Sequence, residues 1–171
     1  ALSFAMPEQE IVETVYHYLK SKGITVFFAP TAEAQVELSG RNQREVFFDV
    51  FSNQSEYVAL FVSQNYIKRK VTIEEAKIAI ATHNWDGKVI PIYLDKTPLP
   101  ESLFDPNKVN YFSSNDPAEI AIHLARKIEA GEEVPERKEV VSDKPAEGFQ
   151  INNNHVGNQI FIHKNEGGIM F

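Results

Sequence analysis

Tyr57-Val58-Ala59-Leu60-Phe61-Val62 and Val89-Ile90-Pro91-Ile92-Tyr93-Leu94 are unbroken apolar runs, and between them Thr72 to His83 carries Ala76, Ile78, Ala79 and Ile80 at helical spacing. An apolar run without alternation is the mark of a strand buried on both faces, which a parallel sheet with helices on each side provides. Two such strands joined through one helix form a right-handed crossover. The same grammar extends outward. Ala1-Leu2-Ser3-Phe4-Ala5 and Ile24-Thr25-Val26-Phe27-Phe28 read as two more strands, separated by a helix from Glu8 to Lys22 with Ile11, Val15, Tyr18 and Leu19 on one stripe. Further helices are expected over Arg41 to Ser52, with Val46, Phe47, Val50 and Phe51, and over Asp116 to Ala130, with Ile120, Ile122, Leu124 and Ile128. The fold class is therefore α/β, an open, doubly wound parallel sheet. Ligands of such sheets bind beyond the carboxyl ends of the strands. That directs attention to Ala5 to Glu8, Ala29 to Gly40, Ser63 to Thr72 and Asp95 to Asn110.

The whole chain has 171 residues, enough for one ordinary domain and a tail. Its formal charge of −7 argues against a nucleic-acid or anionic-membrane partner. It has no cysteine, which removes disulfides, thiol nucleophiles and Cys-ligated metals. No apolar run approaches the length of a membrane span and no secretory leader opens the chain, so a cytoplasmic location is expected. There is no glycine-rich phosphate loop, no Gly-x-Ser-x-Gly elbow and no histidine pair at ligand spacing, so no metal site is expected. Carboxylates near strand ends remain. Glu74 and Glu75 are expected in the first turn of the helix that follows the third strand, where an acid commonly serves only as a partner for the helix dipole.

Three segments divide the chain: a domain over 1–130, a charged, proline-containing linker over 131–147, and a β-prone tail over 148–171. In the tail Gly148-Phe149-Gln150-Ile151 returns as Gly157-Asn158-Gln159-Ile160, with a degenerate third copy at Gly167-Gly168-Ile169-Met170-Phe171. Apolar β-formers mixed with Asn and Gln, no proline and almost no net charge suit cross-β stacking; a hairpin folded on the domain is the other reading.

The succession Ala1 to Ala5, Lys20 to Phe28, Val36-Glu37-Leu38-Ser39-Gly40-Arg41-Asn42, Tyr57 to Tyr66, Val71-Thr72-Ile73-Glu74-Glu75 and Ile90 to Leu94 resembles bacterial Toll/interleukin-1 receptor (TIR) domains over about residues 1–128. The resemblance implies a flavodoxin-like sheet of five strands and cleavage of the nicotinamide–ribose bond of NAD, to a linear or cyclic ADP-ribose product. It implies Glu75 as the catalytic acid, the last residue of a Trp-Thr-x-x-Glu segment in which Val71 takes the Trp position. It also implies NAD contacts from Ser3, Ala5, Met6, Phe28, Ala29, Ser39 and Val71, with Ser39 at a second Trp position and Met6-Pro7-Glu8-Gln9 in place of a Gly-Glu-Asp-Arg-like turn. Phe28, Tyr66 and Phe4 are the aromatics placed to contact the substrate or to pack inward as core. Glu74 is expected to face outward, since neighbouring helical residues point about 100° apart.

One carboxylate suffices for that reaction. Nicotinamide carries positive charge on its ring nitrogen and leaves without a general acid, unlike the alcohol of an ordinary glycoside. A carboxylate beside the ribose then stabilises the oxocarbenium-like charge as the bond stretches. No cofactor beyond NAD as substrate is implied. The same resemblance implies homo-oligomers through TIR–TIR contacts, with Ala29 to Gly40 as a flexible covering loop and activity on clustering in antiphage immune signalling. The Gly-x-Gln-Ile repeat resembles amyloid signalling motifs that recruit effectors to sensors. A non-catalytic adaptor that signals by assembly alone, or a cyclic-nucleotide receptor, fits the same frame.

Overall fold

The computed structural model describes residues 1–132. The linker and tail assignments, with the Gly-x-Gln-Ile repeat, lie outside the described residues.

Four parallel strands form one sheet in the order β1 (Leu2–Ser3), β2 (Val58–Val62), β3 (Val89–Tyr93), β4 (Phe112–Ser113). Leu2 pairs with Ala59, Leu60 with Pro91 and Ile92 with Phe112. The helices are α1 (Gln9–Ser21), α2 (Ala32–Leu38), α3 (Gln43–Asp49), α4 (Gln64–Lys68), α5 (Lys70–His83) and α6 (Pro117–Glu132). A 3₁₀ turn at Met6–Glu8 leads into α1, and a π-helical turn at Val50–Gln54 follows α3.

Period-two alternation along β2 splits the core into two layers. Ala59 and Phe61 join Val12, Val15 and Leu19 of α1 and Ile120 and Leu124 of α6. Val58, Leu60 and Val62 join Phe47, Tyr66, Ala76 and Ala79 on the other face. Each fully buried Leu, Ile or Phe contributes about 2 kcal/mol by leaving water. Alternation has one further result for β1: Leu2 packs in the α1–α6 layer and Ser3 is turned to the α5 face.

Several expectations are corrected. The described residues hold four strands, not five, and Ile24 to Phe28 is not one of them. Leu2 N–H donates to the Phe27 carbonyl at 3.2 Å, yet β1 pairs over only two residues and offers no ladder for that segment to extend. Its side chains still alternate, Ile24, Val26 and Phe28 in one layer and Phe27 in the other. The sheet's far edge is instead the unforeseen pair Phe112–Ser113. The first strand pairs over Leu2–Ser3 alone, and the chain then enters the 3₁₀ turn, whose Glu8 N–H donates to the Ala5 carbonyl at 3.0 Å. Ala29 to Gly40, expected as a loop, contains α2, whose Thr31 cap accepts the Ala34 N–H at 3.3 Å. Finally, α5 begins at Lys70, two residues earlier than expected, which moves Glu75 from the first helical turn to the second.

Candidate active site

The buried stripe of α5 runs Thr72, Glu75, Ala76, Ala79, the i, i+3, i+4, i+7 spacing of a face laid on a sheet. Small side chains at 76 and 79 let the helix approach closely. Glu75 is the anomaly on that stripe, a carboxylate only 7% exposed. Position 74 turns the other way, and Glu74 pairs with Arg44 of α3 at 3.3 Å in solvent.

Glu75 is held from the sheet. Ser3, 1% exposed at the carboxyl end of β1, donates its hydroxyl to Glu75 Oε2 at 2.6 Å, and the Tyr66 hydroxyl lies 2.7 Å from Ser3 Oγ. Oε1 of Glu75 accepts no hydrogen bond among the described residues, and the residue forms part of the wall of a cleft of about 330 Å³. Burial pushes the Glu75 carboxyl up to about 7, against a smaller opposing pull from the Ser3 hydroxyl. Near neutral pH the group therefore exists in both protonation states, and its ionised form is an unneutralised negative charge beside an apolar wall.

The cleft opens beyond the carboxyl end of β1. One wall is β1 and the turn after it, with Phe4 and Met6; another is the start of α5, with Arg69, Val71, Thr72 and Glu75; the third comes from Phe27, Ala29, Pro30, Gln35, Leu38, Gln43 and Phe47 on and around α2 and α3. Gln35 anchors its helix to the preceding segment by donating to the Ala29 carbonyl at 2.7 Å. Met6 and Val71 stand at the mouth, 54% and 51% exposed.

Of the residues anticipated from sequence, the cleft brings together Phe4, Met6, Ala29, Val71 and Glu75, with Ser3 behind the carboxylate. Ala5 is fully buried in the α5-side layer and caps the 3₁₀ turn. Phe28 lies away from the cleft, stacked between Phe4 and Tyr16 at 5.4 and 5.0 Å. Ser39 is exposed at the C-cap of α2 and is not part of the cleft wall. One contributor, Arg69, was not foreseen, and another, Tyr66, enters in a way other than expected. Arg69 supplies the cleft's cation, and its position became readable only once the helix start was known. Tyr66 contributes a hydroxyl rather than a ring face.

A second buried acid, Glu8, accepts from Ser63 Oγ at 2.8 Å and Asn65 Nδ2 at 2.9 Å. It fastens the 3₁₀ turn to the end of β2. No group of three His, Cys, Asp or Glu side chains is arranged to hold a metal ion among the described residues, and no described helix is long and apolar enough to cross a membrane.

Residues 1–126 match the family described as TIR domain. The chain is also similar to a 3′ cyclic ADP-D-ribose synthase, AaTIR, of Aquimarina amphilecti. The two are 32% identical over 130 residues, which is 75% of this chain and 39% of that protein. The chain thus spans about two-fifths of that relative's length.

Proposed function

Because the chain belongs to the TIR-domain family, we propose that its Glu75 cleft cleaves the bond between nicotinamide and ribose in NAD. The observation that carries this reading is the buried, serine-held carboxylate of Glu75, with one oxygen tied back to β1 and the residue on the wall of a cleft at the strand ends. An acid on a sheet-facing stripe opposes stability, so a structural role explains it poorly.

In this reading the ribose lies against Glu75 and the pyrophosphate reaches toward Arg69. As the glycosidic bond lengthens, its electron pair leaves with nicotinamide and the ribose becomes cationic. The carboxylate, fixed in a low-dielectric wall, stabilises that charge without reorganising. Water, or a hydroxyl of the ADP-ribose itself, then bonds to the anomeric carbon and loses its proton, giving a linear or a cyclic product. The similar protein's name is that of a cyclising enzyme, which favours the second outcome. NAD enters as substrate and no cofactor is required.

Clustering is assigned, as in the sequence reading, to contacts between TIR domains and to residues 148–171, in the setting of antiphage immune signalling. The reading divides the chain into the domain over 1–130, the linker over 131–147 and that tail.

The test is incubation of the pure full-length chain with NAD at several protein concentrations, following free nicotinamide and resolving the ADP-ribose product by chromatography. Release that rises more than proportionally with concentration and vanishes in Glu75→Gln supports the proposal. Equal release by Glu75→Gln, or none from a preparation shown to be oligomeric, overturns it in favour of an adaptor.

A further inference from the structure

Tyr66 is fully buried and does not line the cleft, so its ring is out of reach of a bound dinucleotide. Its polar groups are nonetheless all engaged at the site's back wall. Its N–H donates to the Ser63 hydroxyl oxygen at 3.1 Å, its carbonyl accepts from the Thr72 hydroxyl at 2.5 Å, and its phenol meets Ser3 Oγ at 2.7 Å. Thr72 and Glu75 lie one turn apart on α5, and both lead to Tyr66: one directly, the other through Ser3.

Proton counting fixes the direction of the chain. Ser3 has one hydroxyl proton, and an ionised carboxylate can only accept, so that proton goes to Glu75 Oε2. The Ser3 oxygen must then accept from the Tyr66 phenol. Burial, and then the neighbouring Glu75 charge, push that phenol above its usual range, which keeps it a donor. When Glu75 takes up a proton, Ser3 donates to a neutral acceptor in place of a charged one and that bond weakens, so the chain of donors favours the ionised carboxylate.

We propose that Tyr66 is a positioning residue for Glu75, acting through Ser3: its phenol fixes the serine hydroxyl, which pins one carboxylate oxygen and leaves the other for the cleft. This rests on the reading of Glu75 as the catalytic acid. The polar and charged groups that face that carboxylate or share its cleft are few among the described residues. From α4 there is Tyr66, from the start of α5 Arg69, from β1 only Ser3, and from the α2 and α3 wall the neutral Gln35 and Gln43. Glu74 is committed to Arg44 and Glu8 to Ser63 and Asn65.

The experiment follows the Glu75 side-chain carboxyl carbon by NMR titration of the ¹³C-labelled full chain, the signal being assigned by its loss in Glu75→Gln. In Tyr66→Phe the midpoint should rise by about 0.5–1 unit, and in Ser3→Ala by more. In the Ser3→Ala background, adding Tyr66→Phe should move the midpoint no further, while restoring thermal stability that the stranded phenol removes. A wild-type midpoint in Tyr66→Phe, or an equal further shift in the Ser3→Ala background, overturns the proposal. Should Tyr66→Phe fail to fold, global 3-fluorotyrosine labelling, with the ring at 66 a stronger donor, should lower the midpoint; an unchanged or raised midpoint counts against the relay. In NAD turnover at pH 7, Tyr66→Phe should lower kcat by about two- to sixfold with KM unchanged; a raised KM with kcat intact would assign Tyr66 to substrate binding. The titration needs no turnover. A chain that shows the coupled shifts yet releases no nicotinamide therefore rejects the NAD reading alone.

Discussion

Glu74 and Glu75 are neighbours on one helix and meet opposite surroundings: the first reaches Arg44 at 3.3 Å in solvent, the second is buried against Ser3 at 2.6 Å. The exposed pair contributes at most a few tenths of a kcal/mol, since solvent and salt screen it. The buried acid has a larger effect with a definite sign. Its folded-state carboxyl titrates near 7 against an ordinary value of 4.5, so the stability present at low pH is lost as pH rises through 7.

Replacing Glu75 by Gln keeps an acceptor for Ser3 and abolishes the charge. Above pH 7 the variant should be more stable than the wild type by roughly 3 kcal/mol, and below pH 4.5 the two should converge. Urea unfolding at pH 4 and pH 8 measures both limits, and an advantage of equal size at both would show that ionisation is not its source.

Catalysis should run the other way. Only the ionised carboxylate stabilises a ribosyl cation, so kcat for nicotinamide release should climb through a single titration near pH 7 and level off above it. A rate that is flat from pH 5 to 9 would remove Glu75 from the rate-determining step.

Arg69 is the cation on the cleft wall, and a dinucleotide carries two phosphate charges. Arg69→Gln should raise KM for NAD by about 5- to 30-fold through loss of a charge-assisted contact, and leave the pH midpoint in place because burial and Ser3 set it. Steady-state kinetics at pH 6, 7 and 8 separate the two effects.

Val71, 51% exposed at the mouth of the cleft, has room for a larger side chain. Val71→Trp should fold normally and lower KM by about 3- to 10-fold, by giving a planar ring a stacking surface. Unchanged KM together with unchanged stability would show that the mouth is not where a ring of the substrate rests.

Gly131 lies within α6, where alanine ordinarily gains up to about 1 kcal/mol. A Cβ there would fall 1.7 Å from the Tyr57 hydroxyl oxygen. Gly131→Ala should therefore destabilise by about 1–3 kcal/mol, and Tyr57→Phe should recover part of the loss. Thermal melts of the two single variants and the double variant check the coupling.

The sequence made the middle of the sheet plain, because Val58 to Val62 and Val89 to Tyr93 are buried on both faces and show it as continuous apolar runs. Its edges were harder. Phe112–Ser113 is too short to carry a period, and Ile24 to Phe28 has the side-chain alternation of a strand without a partner long enough to make it one. The short helices α2 and α4 announced themselves only by their caps, Thr31 and Ser63, which are hard to tell from ordinary loop residues. Glu75 was singled out through the family pattern, and the structure shows that side chain buried, held by Ser3 and on the wall of a cleft, which is what the proposed chemistry rests on. Phe28 and Tyr66 show the limit: both are aromatics that follow apolar runs, and only the packing reveals that one stacks in the core while the other offers a hydroxyl.

If Glu75 carries the proposed cleavage, setting an acid on the stripe where α5 meets the sheet places endurance and turnover in opposition over one pH interval. Mild acidification makes this domain tougher and idles it; mild alkalinity wakes it and leaves it easier to melt. On that reading a drift of a fraction of a pH unit adjusts both properties at once, through a single ionisation.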